Sequence, residues 1–366
     1  MTTNQPSTSP RAPLRLGFPV KVMGREGLKS NDTRRWQKKP HLRTSIEYLH
    51  AIFDYLEEQA ITMYRISSDI APYLTHPEKP EFRNQIREAR RELAALGKLA
   101  RDRNLRLSFH PSQYIVLNSP DERLIAQSIH DIESAAEMLD VMELGPEARV
   151  VIHVGGLYED RVSARDRWMR TYEIRLSKCA RERLVLENDD VSFSAADVLA
   201  IHQHVGVPLV FDHQHFWCLN PERLELRPTV EAFLRTWPKG VRPKIHFSSP
   251  RTEMRECIER DRKTKRRRKV LKPPLLTGHA DFINAFEFAT FMRLMGELEF
   301  DVMLEAKMKD VALQRLRSDL ARCAPDVRRR FDGAPYEPEK LTTDALPRLA
   351  ASLGEASGTF ERDEMR

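Results

Sequence analysis

The sequence predicts an α/β fold, a TIM (β/α)8 barrel that forms a single domain. Eight short apolar runs rich in β-branched residues alternate with amphipathic helical patterns along the chain. Such alternation indicates a parallel sheet, and eight strand-helix units are the number that closes a barrel. The 366 residues suffice for one barrel with tails and an insertion. An open, doubly wound sheet is the alternative fold.

The predicted strands follow one another at intervals that leave room for one helix between each pair. The strands are expected at residues 15–20, 61–67, 106–110, 149–155, 183–188, 207–212, 243–247 and 300–306. Apolar residues recur at helical spacing over 44–58, 82–103, 121–141, 164–181, 195–205, 227–236, 282–296 and 308–322. The barrel domain is therefore predicted to span residues 14–323.

Both ends of the chain and one connection depart from this alternation. Residues 1–13 are rich in Ser, Thr and Pro, and residues 324–366 lose the strand-helix pattern. Both are predicted to be flexible or loosely docked tails. Segment 251–278 is longer than an ordinary connection, so we expect an insertion after the seventh strand. It contains an exposed, non-periodic basic run at 260–272, for which a solvated loop is the alternative interpretation.

The composition narrows the class of protein. Hydrophobic residues make up 41% of the chain and charged residues 31%, which favours a soluble globular protein over a disordered one. The absence of a long apolar run or secretory signal predicts a cytoplasmic location without membrane contact. The four cysteines show no paired spacing, so reduced thiols are expected. A net charge of +6 is weak evidence for a nucleic-acid partner.

Metal-ligating residue types stand at the ends of nearly all predicted strands. In a barrel these ends lie on one face, where residues distant in sequence converge on the active site. A single histidine at a strand end is more often structural, but six such positions together favour a site. The six are His110, His153, Glu187, Asp212, His246 and Glu305.

Other positions extend this set. His215 follows the carboxylate of the sixth strand by three residues, where the turning chain can direct both side chains to one ion. Lys244 shares the inward face of its strand with a candidate ligand and would orient a phosphate or join the metal shell. A core lysine that reaches outward is the alternative. His279 would bind metal or cap a helix, and His76 lies in the loop after the second strand.

The donor types indicate a cluster of divalent ions. Histidine nitrogens with carboxylate oxygens suit manganese, zinc or iron better than magnesium or calcium alone. The candidate ligands are too many for one tetrahedral ion, so two or three ions are expected, with Glu187 or Glu305 as bridges. Such clusters suit phosphoryl chemistry, because one ion generates hydroxide while the others take up charge on the phosphate and the departing oxygen.

Gln113 and Tyr114 follow the third strand and are the type of pair that probes a duplex. An aromatic ring can stack on an exposed base, and an amide can replace lost base-pair hydrogen bonds. The alternative is that Tyr114 packs on the barrel rim while Gln113 is solvated.

The motifs in order resemble the UV damage endonuclease family over residues 14 to about 320. They are RLGFPV, SSDIAPYLTHP, LSFHPSQY, VIHVGG, LVLENDD, VFDHQHFWCLNP, RPKIHFSS, GHADF and VMLEAK. The resemblance implies a TIM barrel similar to endonuclease IV that nicks damaged double-stranded DNA immediately 5′ of UV photoproducts and other lesions. It also implies a divalent metal, commonly manganese. One barrel acting on one lesion needs no partner, so a monomer is expected, associated with the nucleoid when it acts on DNA.

The resemblance carries individual roles to matching positions. It implies catalytic roles for Glu187, Lys244 and Glu305, and lesion probing by Gln113 and Tyr114. The implied metal ligands are His76, His110, His153, Glu187, Asp212, His215, His246, His279 and Glu305.

Two positions and the insertion depart from the family pattern. Phe18 and Val22 stand where the family tends to have Tyr and Asn near the flipped lesion, so a lesion pocket lined by them would have an altered or broadened preference. The basic insertion exceeds the family pattern and is suited to contact DNA phosphates.

Two other functions are compatible with a barrel of this kind. One is a metal-dependent sugar isomerase or epimerase, and the other is a DNA-binding barrel without catalysis. Gln113, Tyr114 and the basic run favour DNA over a small sugar, and the complete set of candidate ligands favours an enzyme.

Overall fold

The computed structural model describes residues 12–158, 160–261 and 263–332. Within these ranges eight parallel strands surround a common interior in the order β6-β5-β4-β3-β2-β1-β10-β7. A parallel bridge between Asp212 and His246 brings the two ends of this order together. The barrel strands are β1 (Leu16–Pro19), β2 (Met63–Arg65), β3 (Arg106–Phe109), β4 (Arg149–His153), β5 (Leu184–Glu187), β6 (Leu209–Val210), β7 (Lys244–Phe247) and β10 (Asp301–Leu304), with β8 (Arg255–Arg260) and β9 (Arg267–Lys272) inserted between the last two.

The predicted TIM barrel is confirmed, and helices follow the strands as expected. They are α1 (Leu42–Glu58), α2 (Gln85–Glu88), α3 (Arg90–Asp102), α4 (Glu122–Val141), α5 (Arg161–Arg175), α6 (Lys178–Arg183), α7 (Ala195–Val205), α8 (His213–Cys218), α9 (Leu226–Arg235), α10 (Ala285–Met295), α11 (Lys309–Cys323) and α12 (Pro325–Arg330). Among the described helices, none combines the length and apolar character needed to cross a membrane.

Two of the predicted helices are each divided in the structure. The helix predicted at 82–103 becomes α2 and α3, and the one predicted at 164–181 becomes α5 and α6. Helix α8 has no counterpart in the prediction. The break between α5 and α6 lies at Leu176 and Ser177, which are extended, and the Ser177 hydroxyl accepts a hydrogen bond from the Ala180 amide at the start of α6. A side chain that caps a new helix competes with continuation of the preceding one.

Alternation of side chains along the strands builds the interior in layers. Arg106 of β3 and Asp301 of β10 belong to strands that are not neighbours, yet their side chains form a buried ion pair of 2.7 Å across the barrel. The guanidinium groups of Arg106 and Arg149 lie over the ring of Trp237 at 5.5 and 5.3 Å from its centroid. A small apolar cluster of Val151, Val185 and Val210 packs with this tryptophan. Inward positions farther along the strands then supply the polar groups of the site.

The folded part of the chain extends beyond the boundary predicted at residue 324. Helix α12 buries Val327, and the backbone carbonyl of Arg330 accepts a hydrogen bond of 3.0 Å from the amide of Leu14. The Arg330 guanidinium donates to the carbonyls of Met292 and Leu298. Residues 325–332 of the predicted tail are therefore docked on the barrel through the buried Val327, the ion pair between Arg293 and Asp326, and hydrogen bonds to backbone carbonyls. The remaining tail residues, 1–11 and 333–366, lie outside the described residues.

The insertion after β7 is an antiparallel hairpin and not the non-periodic segment that the charge run predicted. Strands β8 and β9 pair from Arg255 with Lys272 to Arg260 with Arg267. The Asp261 side chain accepts hydrogen bonds from the backbone of the turn between them. We call residues 255–272 the basic hairpin.

Candidate active site

Glu187 lies at the centre of a cluster of side chains at the carboxyl end of the barrel. It is fully buried at the end of β5. Its Oε2 atom is 2.9 Å from Nε2 of His110 and 3.6 Å from Nε2 of His153. Its Oε1 atom is 2.7 Å from Nδ1 of His246. The structure thus brings together residues from four strands that the sequence separates by up to 136 positions, as strand ends in one barrel should meet.

Candidate ligand atoms form three overlapping groups, and within each group the atoms lie no more than 4.8 Å apart. His110 is shared by the first and second groups, and Glu187 by the second and third. Overlap of this kind suits adjacent ions with bridging ligands. The groups are His110, His246 and Glu305; His110, His153 and Glu187; and Glu187, Asp212 and His215.

The end of β6 and the short helix α8 place Asp212 and His215 together. Asp212 caps α8 by accepting a hydrogen bond of 2.7 Å from the His215 amide. This turn brings Nδ1 of His215 to 3.7 Å from Oδ1 of Asp212 and 3.8 Å from Oε1 of Glu187. His213 points away as expected, since its ring stacks on Phe247 with 4.4 Å between centroids.

Arg65 and His279 flank Glu305 on the other side of the cluster. The Arg65 guanidinium contacts Oε1 of Glu305 and lies 3.3 Å from Nε2 of His246. Nδ1 of His279 is 3.8 Å from the other oxygen of Glu305. Arg65 was not predicted from the sequence, although a basic residue inside an apolar barrel strand is a usable signal. Its position indicates that it orients Glu305.

Lys244 lies in the interior below the cluster, on the inward face where the sequence placed it. It is 1% exposed, and its Nζ atom has no hydrogen-bond partner among the described residues. Burial, reinforced by the charges of Arg65 and Arg106, holds the pKa of Lys244 well below its usual range. An unpaired buried amine is costly in free energy, which points to a functional role over a packing one.

The carboxylates of the cluster have opposing pKa shifts. Burial, with added repulsion from Glu305 and Asp212, raises the pKa of Glu187 well above its usual range. Burial also raises the pKa of Asp212. Burial acts in the same direction on Glu305, but the positive charge of Arg65 outweighs it and holds the pKa of Glu305 well below normal.

Burial keeps three histidines of the cluster neutral. It lowers the pKa of His110 and His246 well below the usual value, and lowers that of His153 to about 3. Burial acts in the same direction on His215, but there the charges of Asp212 and Glu305 outweigh it and raise the pKa. Neutral imidazoles and crowded carboxylates are the forms that coordinate a cation. In the region that the structure describes, a carboxylate oxygen of Asp212 and Nδ1 of His153 also lack hydrogen-bond partners. The residues present therefore fit a divalent metal. Because Glu187 belongs to two of the ligand groups, they fit more than one ion.

His76 and His279 lie outside the three ligand groups found among the described residues. Nδ1 of His76 accepts a hydrogen bond from the Glu78 amide, and its ring packs against Tyr73. His76 lines a cavity of about 530 Å³ together with Pro111 of the loop after β3. His279 therefore lies beside the cluster, close to Glu305, whereas His76 lies next to the loop that follows β3.

Gln113 and Tyr114 lie in an exposed turn directly after the strand that carries His110. The turn is held by a hydrogen bond of 2.9 Å from the Ile115 amide to the Ser112 carbonyl. Both side chains are exposed, and Tyr114 has 71% of its surface accessible. This exposure disagrees with the alternative in which Tyr114 packs on the barrel rim.

Phe18 and Val22 are buried in the apolar core, which does not favour the predicted place of their side chains in a lesion pocket. Phe18 is 0% exposed and Val22 8% exposed, and both belong to the main apolar core. Phe18 is aligned with Tyr64 across β1 and β2, and the two rings meet edge-on at 5.4 Å. Arg65, the next residue of β2, points into the barrel interior. Because side chains alternate along a strand, Tyr64 points outward, and so does Phe18, which is aligned with it. Phe18 therefore faces the surrounding helices.

Comparison with known proteins agrees with this geometry. The model of the family UV-endonuclease UvdE matches residues 29–331. A UV DNA damage endonuclease of Bacillus velezensis is 31% identical over 286 residues, covering 77% of this chain and 81% of the relative. One of Bacillus pumilus is 32% identical over 265 residues, covering 71% and 75%.

A solved structure of SacUVDE superposes on this barrel with a TM-score of 0.68 at 27% identity, covering 84% of this chain and 98% of that one. The matched range therefore spans β2 to β10 and all three ligand groups. The chain belongs to the UV-endonuclease UvdE family.

Proposed function

We propose that this chain is a DNA repair endonuclease that nicks damaged duplex DNA on the 5′ side of UV photoproducts and other lesions. The reaction is hydrolysis of a phosphodiester bond with two or three divalent ions, of which manganese is the first candidate. The observation that carries the proposal is the overlap of three ligand groups through His110 and Glu187. Membership of the UV-endonuclease family favours DNA over a sugar as the substrate.

The residues around Glu187 would hold the ions, with Glu187 as the bridge. When bound, the ions supply a hydroxide nucleophile near neutral pH and stabilise negative charge on the phosphate. The remaining proposed ligands are His76, His110, His153, Asp212, His215, His246, His279 and Glu305. His76 and His279 would complete the set from the loops, outside the three closest groups.

Three interior side chains would position the reacting groups. Arg65 holds Glu305 in place through its guanidinium. Lys244 would donate to a phosphate oxygen or to a ligating carboxylate, and its burial excludes water from that contact. Because the site is buried, these charges act on the phosphate with little screening.

Gln113 and Tyr114 would test the duplex for damage. Tyr114 is exposed enough to stack on a base that has lost its partner, and Gln113 would replace the lost hydrogen bonds. Unstacking costs a few kcal/mol and is least for damaged bases, which gives selectivity.

The first test uses a duplex with one defined photoproduct and metal-stripped protein to which single divalent metals are returned. We expect a nick 5′ of the lesion, strongest with manganese. Glu187→Gln should lower the single-turnover rate on the order of a hundredfold or more. Glu182→Gln, an exposed position on α6, is the matched control and should nick normally. An intact photoproduct duplex together with conversion of a ketose would replace this proposal with a sugar isomerase.

The second test separates lesion probing from metal binding. Tyr114→Ala should reduce nicking of the lesion duplex by about five- to 150-fold while leaving bound metal unchanged, because loss of base stacking costs about 1–3 kcal/mol. Tyr48→Ala removes the same side chain from α1, which contributes no residue to the three ligand groups, and should leave nicking nearly unchanged. Parallel losses of metal and activity in Tyr114→Ala would show that the tyrosine is structural.

A further inference from the structure

The basic hairpin carries the excess positive charge of the whole protein. Its residues 255–272 include ten Lys or Arg and three Asp or Glu, a formal charge of +7. The full chain has a formal charge of +6, so all other residues together sum to −1. The positive potential of this molecule is therefore local, and the hairpin is its source.

Two glutamates of β8 compensate part of this charge. Glu256 pairs with Lys269 and Glu259 pairs with Lys272, each at 2.7 Å, and Glu259 also approaches Arg268 at 3.4 Å. Asp261 is engaged with the backbone of the turn. Within the described part of the hairpin, no ion pair to a carboxylate is found for the cations of its outer end, Arg260, Lys263, Lys265, Arg266 and Arg267.

The two faces of the hairpin differ in exposure. Alternate residues of β8 are half-buried, whereas those between them are exposed. On the exposed face Ile258 and Leu271 have 66% and 68% of their surface accessible. Arg260 and Arg267 lie directly opposite each other at the end of that face. Like charges opposite each other and exposed aliphatic side chains both disfavour an isolated hairpin, so this face is suited to a partner with phosphates and apolar edges.

The hairpin rises beside the candidate active site. The amide of Arg251 donates to the carbonyl of Gly278 at 2.8 Å, and Pro250 forms an isolated bridge with His279. His279 in turn approaches Glu305 of the cluster. A strand of six residues reaches about 20 Å, which is about the length of six base pairs of duplex.

We propose that the exposed face of the basic hairpin binds duplex DNA that flanks the nicked bond. Arg260, Arg266 and Arg267 pair with backbone phosphates, while Ile258 and Leu271 contact the sugars and base edges of a groove. A two-stranded ribbon fits the major groove of B-DNA, and this is why duplex is the partner. The proposal rests on the proposed function, because that function brings a duplex to this end of the barrel.

The test measures affinity of the full-length protein for an undamaged 25-base-pair duplex at several salt concentrations. The variant Arg260→Gln/Arg266→Gln/Arg267→Gln should bind about ten- to a hundredfold more weakly at 0.1 M salt. The slope of log affinity against log salt should become shallower by about 0.9 for each lost phosphate contact. The control Arg170→Gln/Lys178→Gln/Lys239→Gln removes the same charge from exposed positions of α5, α6 and the loop before β7, and should match the wild type.

A second variant tests the proposed contacts of Ile258 and Leu271 with the duplex. Ile258→Thr/Leu271→Thr keeps strand-forming residues and should weaken binding several-fold without changing the salt slope, because it removes no charge. A loss of binding that also changes the slope would show that the hairpin has been deformed. Circular dichroism of each variant reports whether the barrel is folded.

Equal losses in the hairpin and control variants would overturn the proposal, because net charge alone would explain them. Unchanged affinity of the hairpin variant for the duplex would overturn it as well. Since the duplex is undamaged and no nick is scored, this result is independent of catalysis. Hairpin-dependent binding by a protein that nicks no lesion would refute the proposed function and leave the hairpin contact standing.

Discussion

Lys244 is expected to lower the stability of the protein while raising its nicking rate. Its buried amine lacks a hydrogen-bond partner among the described residues, and an unsatisfied group of this kind costs about 1–3 kcal/mol. Lys244→Met fills a similar volume without the amine. We therefore predict that it raises the free energy of unfolding by about 1–3 kcal/mol while lowering the nicking rate on the order of a hundredfold.

Urea unfolding in the presence of a chelator and single-turnover nicking measure the two effects. Lys239→Met, at an exposed position before β7, is the control for removal of a lysine charge and should leave both nearly unchanged. Destabilisation in Lys244→Met would mean that the amine has a favourable partner in the folded protein.

Most of the candidate ligand residues were predictable because each is a distinctive residue type at the end of an apolar run. The side chains that contact these residues were not predictable. Arg65 reaches Glu305 across 240 positions of sequence, and no local pattern encodes that contact. The orientation of Phe18 was not predictable either, because residue types alone do not show which face of β1 a side chain occupies when both faces are covered.

At the scale of the element, helix α12 is attached to the barrel by a charged pair. The buried carboxylate of Asp326 accepts two hydrogen bonds of 2.8 Å from the guanidinium of Arg293 on α10. These bonds lower the pKa of Asp326 below its ordinary value of 3.8. A lowered folded pKa stabilises the protein fully above pH 4, and the contribution disappears as pH falls through the folded pKa.

We predict that Asp326→Asn lowers the free energy of unfolding by about 1–3 kcal/mol at pH 7. The difference from wild type should narrow below pH 4, where the wild-type carboxylate becomes protonated. Urea unfolding at pH 7, 5, 4 and 3 measures this trend. Asp332→Asn, at a half-exposed ion pair with Arg328 in the same terminal segment, should change stability by less than about 1 kcal/mol at any pH. A pH-independent difference for Asp326→Asn would contradict the charge argument.

Elements with regular periodicity were predictable, and those set by capping or by pairing were not. Helix α7 matches its predicted range of 195–205, and a capping box formed by Ser194 and Asp197 marks its start. Helix α8 is only six residues long and depends on the Asp212 cap, so it leaves no periodic signal. The basic hairpin was hidden because lysine and arginine obscure the alternation of a strand, although Cys257 and Val270 occupy paired inner positions.

At the scale of the whole molecule, the ligand cluster should couple metal binding to stability. The three ligand groups join residues of β3 to β10, and these residues are assembled only in the folded barrel. A ligand that binds the folded state alone stabilises it by about 2.7 kcal/mol at a hundredfold excess over its dissociation constant. We predict that manganese raises the melting temperature of stripped protein by about 3 to 5 °C and that chelation reverses the change.

Differential scanning calorimetry with and without manganese measures this coupling. Glu187→Gln should lose most of the shift, because Glu187 belongs to two of the three groups, whereas Glu182→Gln should retain it. An equal shift in both variants would place the bound metal away from the cluster.

The amino-acid sequence by itself determined the barrel and the set of candidate ligands. Strand and helix periodicity are local properties, and parallel strands necessarily bring their carboxyl ends to one face. Tertiary structure alone decided which ligands share an ion group, that Arg65 holds Glu305, and that Phe18 faces the helices. It also decided that the basic run is a two-faced hairpin rooted beside His279. These features depend on distances between residues far apart in the chain, which local residue patterns do not encode.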